Sequence, residues 1–144
     1  MKKKIFISTG EVSGDLQGSL LAKELFEESK KRSIDLEIYG LGGEKMREAG
    51  VEIIRDTTPI SAIGIWEAVP LILPMMRIQK QFLNLLITES PNCLVLIDYM
   101  GPNISIGRKL KKKKINMPIY YYIAPQEWAW RCLLYTSDAA DEWR

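Results

Sequence analysis

The chain has 144 residues, 47% of them hydrophobic, and a formal net charge of +2, enough for one domain with a sizeable core and too apolar for a disordered chain. It contains no histidine, which excludes Ser-His and Cys-His catalytic pairs and any histidine metal site. Cys93 and Cys132 are too few and too ill-spaced for a disulfide framework or a zinc site, and neither a membrane span nor a secretory signal is legible.

A first strand is expected over Lys4–Ser8, carried by Ile5-Phe6-Ile7. The turn Ser8-Thr9-Gly10-Glu11-Val12-Ser13-Gly14-Asp15 follows, and then a helix over Gly14–Lys31 with Leu16, Leu20, Leu21 and Leu25 on one face. Gly10 and Gly14 would let the backbone turn tightly and approach a ligand. Ser13 would cap the helix and Asp15 would suit its positive first turn. Free N–H groups at such a start form a site for an anion or a hydroxyl-rich ligand. The spacing Gly10, Gly14, Gly18 is neither the dinucleotide fingerprint nor a P-loop. Glu11, in the turn itself, is a second candidate carboxylate.

Leu36–Tyr39 reads as a second strand, ending in Gly40-Leu41-Gly42-Gly43. A short helix, Glu44–Ala49, is closed by Gly50, and a third strand covers Val51–Ile54. Asp56-Thr57-Thr58-Pro59 is a turn cluster. The stretch Ile63–Met76 is unusually apolar and broken by Pro70 and Pro74. Pro74 fits the first turn of a helix running to about Thr88, with Ile78, Phe82, Leu85 and Leu86 sharing a face. Cys93–Ile97 is a continuous apolar strand tipped by Asp98, the mark of a parallel strand covered on both faces, and it makes Cys93 a core thiol. Tyr99-Met100-Gly101-Pro102 opens a helix through about Lys113. Ile119–Ile123 is the fifth strand, followed by the loop Ala124–Trp130.

Strands alternating with helices predict an α/β, Rossmann-like parallel sheet, with expected strand order 3-2-1-4-5. The topological switch then lies between strands one and four, where ligands bind beyond the carboxyl ends. Gly10–Asp15 and Asp98 should therefore flank one crevice.

Four stretches together resemble one family, lipid-A-disaccharide synthase. They are Gly10-Glu11-Val12-Ser13-Gly14-Asp15, Ile63-Gly64-Ile65-Trp66-Glu67, Ile97-Asp98 with Pro102-Asn103-Ile104, and Ala124-Pro125-Gln126-Glu127-Trp128-Ala129-Trp130-Arg131. The resemblance covers residues 4–131. It implies the N-terminal, acceptor-side half of a two-domain, B-type glycosyltransferase, with the donor-binding domain absent from this chain. The reaction implied is inverting, needs no cofactor or metal, and joins UDP-2,3-diacylglucosamine to 2,3-diacylglucosamine-1-phosphate, releasing UDP and a β-1,6 disaccharide.

Asp98 matches the family's general base, a role that a strand-tip carboxylate can fill, with Glu11 as the alternative. Many members carry a second aspartate where this chain has Gly101. Gly10, Ser13, Gly14, Asp15, Asn103, Trp128 and Trp130 are the expected substrate contacts. Because the substrates are acylated, Trp66, Val69, Leu71, Ile72, Leu73, Met75 and Met76 form a candidate membrane-contact patch. The basic run Arg108-Lys109-Leu110-Lys111-Lys112-Lys113-Lys114 suits a helix end or anionic lipid. The implied location is cytoplasmic, peripheral on the inner membrane, with no nucleic-acid partner; a homodimer is left open for the full-length enzyme.

Residues 132–144 resemble the translation of a sequencing-library adapter and are expected to be non-native, so the domain proper is 1–131. Setting them aside removes three acids and one base and raises the net charge to +4. Two rivals remain at this point: a dinucleotide-dependent oxidoreductase, which lacks its glycine fingerprint here, and a non-enzymatic Rossmann-like binding module.

Overall fold

The computed structural model describes residues 2–57 and 72–123, apart from the side chains of residues 72–75 and 100. Among these residues the elements run β1 (Lys2–Ser8), α1 (Val12–Lys31), β2 (Asp35–Gly42), α2 (Glu44–Glu48), β3 (Glu52–Asp56), α3 (Ile72–Glu89), β4 (Cys93–Ile97), α4 (Met100–Lys112) and β5 (Ile119–Ile123). The strands form one sheet in the order β3-β2-β1-β4-β5, and every pair is parallel. The expected α/β sheet and its order are therefore present, with the switch between β1 and β4.

Strand alternation sends neighbouring side chains to opposite faces, and this chain uses both. Phe6, Leu94 and Leu96 join Phe82, Leu83 and Leu86 of α3 and Ile106 and Leu110 of α4 in one core cluster. Ile7, Val95 and Ile97 join Ala22 of α1 and Met46 of α2 in the other. On α3, Phe82 and Leu86 are buried while Arg77, Lys80 and Gln81 are exposed, as the helical spacing predicts. Cys93 is half-buried, and burial pushes its thiol pKa up.

Three expectations are corrected. First, α1 does not bury a leucine face: Leu16 and Leu20 are 42% and 49% exposed, and only Leu21 and Leu25 pack partly against the core. The buried positions are Gly14, Asp15, Gly18, Ser19, Ala22 and Ser29. Small residues win because the helix lies tight against its neighbours: a Cβ on Gly18 would stand 2.6 Å from the Met46 sulfur.

Second, β2 runs on past the expected end at Tyr39, through Gly40-Leu41-Gly42. Gly40 and Leu41 continue the pairing with Ile7 and Ser8, and a Cβ on Gly40 or Gly42 would crowd the same Met46 side chain. Met46, 0% exposed, is thus a knob in a hole built from three glycines; burying a Met side chain contributes about 2 kcal/mol.

Third, Ser13 is not the helix cap. Glu11 occupies the N-cap, with an extended backbone and no side-chain cap hydrogen bond. Gly50 does close α2 as expected, with φ +94° and the paired bonds Gly50 N–H to Arg47 O, 3.0 Å, and Val51 N–H to Met46 O, 3.1 Å, the geometry that favours glycine.

Candidate functional site

The carboxyl ends of β1 and β4 lie side by side, with Ser8 paired to Leu96, so the residues after each strand meet at the switch point. After β4 the backbone turns through two left-handed residues, Asp98 (φ +46°) and Tyr99 (φ +51°). A backbone with φ in this range is sterically costly for residues with a Cβ, less so for aspartate than for tyrosine, and persists where the surroundings hold it. Here the Asp98 N–H donates to Ile123 O at 2.8 Å. Its carbonyl accepts from Asn103 Nδ2 at 2.7 Å and from the Tyr121 hydroxyl at 3.0 Å.

Asn103 is the clamp of this junction. It is 0% exposed; its amide also reaches Ser8 O and Ile97 O, at 3.3 and 3.4 Å, and its Oδ1 accepts from Ser8 Oγ at 2.6 Å. One side chain thus ties β1, β4 and α4 together, and its polar atoms are spent on protein partners.

On the β1 side, Asp15 is 4% exposed and faces the N-terminus of α2. Its Oδ1 accepts from Gly43 N–H at 2.8 Å and Met46 N–H at 3.1 Å, and its Oδ2 from Lys45 N–H at 3.0 Å. A carboxylate at a helix start satisfies donors that the helix cannot; the helix served is α2, although Asp15 itself belongs to α1. The glycines of the turn likewise make room for protein. A Cβ on Gly10 would run into the Tyr99 ring, and one on Gly14 into the Thr9 hydroxyl. Neither has a positive φ, so close packing, and not an unusual turn, explains them here.

Glu11 and Asp98 are both half-buried and feel each other. Burial, and then the charge of Asp98, push the Glu11 carboxyl above its ordinary pKa. Burial, and then Glu11, push the Tyr99 phenol up as well. The Tyr99 ring against Gly10 and the Glu11–Asp98 interaction bring the two expected spots together at the crevice. Among the described residues, no lysine or arginine forms an ion pair with either carboxylate. Among the described residues no hydrogen bond runs from the Gly10–Asp15 turn to the Asp98 carboxylate, so the expected donors are not engaged with it. Among the same residues no three His, Cys, Asp or Glu side chains gather as a metal site would require. The arrangement offers a strand-tip carboxylate that no described cation pairs, a second one whose pKa is raised, and the first N–H groups of α1.

Trp128 and Trp130, and Trp66, Val69 and Leu71, lie outside the described residues. Ile72, Leu73 and Met75 are on α3 with side chains outside the described part. Met76 is 59% exposed. It borders a groove of about 400 Å³ with Arg77, Lys80, Leu83 and Lys109, and Lys109 also lines a second groove of about 440 Å³ along α4 with Gly101, Ile104, Ser105 and Arg108. These cations have no ion-pair partner among the described residues. No described helix is long and apolar enough to cross a membrane.

Sequence reasoning missed Tyr99, Tyr121 and Thr57. Thr57 is 2% exposed, and its hydroxyl donates to Thr9 O at 2.8 Å, pinning the turn to the end of β3. None carries a motif: each matters through a contact made across the sheet.

A family model described as lipid-A-disaccharide synthetase matches residues 5–136, ending five residues past Arg131. The lipid-A-disaccharide synthase of Prochlorococcus marinus (strain MIT 9313) is 53% identical over 128 residues, covering 89% of this chain and 33% of that protein. That of Synechocystis sp. is 50% identical over 127 residues, 88% of this chain and 32% of the relative. Lipid-A-disaccharide synthase 1 of Legionella pneumophila (strain Lens) is 38% identical over 128 residues, with 89% and 32% covered. The chain spans about a third of the length of the curated relatives it matches.

Proposed function

The chain belongs to the lipid-A-disaccharide synthetase family, and from that premise we propose that it is the N-terminal, acceptor-side part of an inverting glycosyltransferase. Residues 1–131 form this domain, and 132–144 are a non-native tail. The complete enzyme joins UDP-2,3-diacylglucosamine to 2,3-diacylglucosamine-1-phosphate and releases UDP and a β-1,6 disaccharide. The observation that carries this reading is the Asp98 carboxylate, unpaired by any described cation at the carboxyl end of β4 and beside Glu11.

In an inverting transfer the acceptor hydroxyl attacks the anomeric carbon from the face opposite the departing UDP, and a base takes its proton as it does so. Asp98 is that base, a role worth about 10²–10⁴ in rate. Glu11, whose carboxyl pKa burial and Asp98 raise, is the second carboxylate of the crevice and lies beside the base. Gly10, Ser13 and Gly14 contribute backbone N–H groups of the α1 start. Asp15 and Asn103 serve the acceptor by holding those elements, and the family resemblance adds Trp128 and Trp130 as sugar contacts. The test is direct: full-length enzyme should convert the two acylated sugars to disaccharide and UDP, and the isolated chain should release no UDP. Turnover by the isolated chain at the rate of the full enzyme would refute the division of labour.

The acylated substrates place the work at a membrane, and we assign the contact to the start of α3 and the cationic faces of α3 and α4. Exposed Met76 supports this, as do Arg77, Lys80, Arg108 and Lys109, which have no ion-pair partner among the described residues. Cations near an anionic leaflet are attracted within a Debye length. Binding of the full enzyme to anionic vesicles should therefore weaken as salt rises and drop when Arg77 and Lys80 are changed to glutamate.

A further inference from the structure

We propose that Tyr121 is a positioning residue for Asp98, an inference that rests on Asp98 being the base. The peptide between Asp98 and Tyr99 joins two left-handed residues, a conformation that relaxes unless held. Its carbonyl oxygen has room for two donors, and both are supplied: Asn103 Nδ2 and the Tyr121 hydroxyl.

The two differ in what else they do. Asn103 is fully buried and also clamps Ser8 and Ile97, so its loss would disturb the whole junction. Tyr121 comes from β5, beyond β4 at the edge of the described sheet, and is 38% exposed.

The strand is built to bring it there. Pairing between β4 and β5 is regular from Leu94 with Ile119 to Leu96 with Tyr121, then shifts so that Ile97 faces Ile123. Tyr122 is the extra residue of this bulge, and bulges next to functional sites re-aim side chains. The residues on either side of it make the two β5 contacts to Asp98: Tyr121 through its hydroxyl to the carbonyl, and Ile123 through its carbonyl to the N–H. Together they fix the peptide planes before and after the Asp98 Cα, and so the direction in which its side chain leaves the backbone.

The test is a cycle in the full-length enzyme with Tyr121→Phe, Asp98→Asn and the double variant, followed by single-turnover rates. Tyr121→Phe should slow the chemical step about tenfold, since small misplacement of a reacting group is costly. The acceptor KM and the melting temperature should stay near those of the parent. On the Asp98→Asn background the same change should cost nothing further, because Tyr121 acts through Asp98. A parent-like rate in Tyr121→Phe while Asp98→Asn is slow would overturn the positioning role alone. An undiminished tenfold loss on the Asp98→Asn background would overturn it too. Parent-like turnover in Asp98→Asn would reject the base and this inference with it.

Discussion

Asp15 and Asp98 each follow a central parallel strand, β1 and β4, yet their carboxylates have opposite fates. Asp15 is buried and accepts three backbone N–H bonds from Gly43, Lys45 and Met46. Asp98 is half-buried, its backbone is held at both ends, and no described cation pairs with its side chain. The β1–α1–α2 half of the molecule is closed by packing: Met46 fills the space left by Gly18, Gly40 and Gly42, and Thr9 and Tyr99 fill that left by Gly14 and Gly10. On α4, by contrast, a Cβ at Gly101 or Gly107 would meet nothing within 4 Å. One carboxylate is therefore a brace, and the other is paired with no described cation.

The contrast can be broken by substitution, and the stability measurements belong in full-length enzyme by denaturant or thermal unfolding. Asp15→Ala should do most damage. It strands three N–H groups at the start of α2 at once, and the expected loss is about 3 kcal/mol. Gly14→Ala should cost about 2 kcal/mol by overpacking against Thr9, outweighing the helix propensity that alanine adds. Gly107→Ala should run the other way and stabilise by about 1 kcal/mol, since it lies inside α4 with open space around it. A loss at Gly107 equal to that at Gly14 would show that the two positions are packed alike.

The smallest effect concerns Glu11. Its pKa is raised by burial first and by Asp98 second. The folded protein therefore holds this proton to higher pH than the unfolded chain does, and stability falls slightly as pH rises from the unfolded to the folded midpoint. In Asp98→Asn the Glu11 midpoint, followed by carboxyl NMR titration, should move down only part of the way to its ordinary value. An unchanged midpoint would mean that the two carboxylates do not interact.

Much of this was legible in the residues, for stated reasons. β4 and β5 match the expected bounds because Cys93–Ile97 and Ile119–Ile123 are apolar and β-branched or aromatic runs between turn signals. The sheet order follows once such strands alternate with helices. The α1 face was misread because leucine spacing was weighed and backbone approach was not: Gly14, Gly18 and Ala22 let the helix sit close, leaving Leu16 and Leu20 outside. The glycines of the turn were read as space for a ligand, whereas the space next to them holds Tyr99 and Thr9. Tyr121 was out of reach because its role depends on a one-residue shift in pairing at Leu96/Ile97, which no local pattern announces.

The central claim is that Asp98 works as a base and Asp15 does not. It is tested most directly by Asp98→Asn in full-length enzyme, with the single-turnover rate and the melting temperature measured on the same sample. The change keeps the side chain's shape and removes the base. The account predicts a chemical step slower by about 10²–10⁴, with acceptor binding and melting temperature nearly unchanged. A rate close to that of the parent enzyme would contradict it.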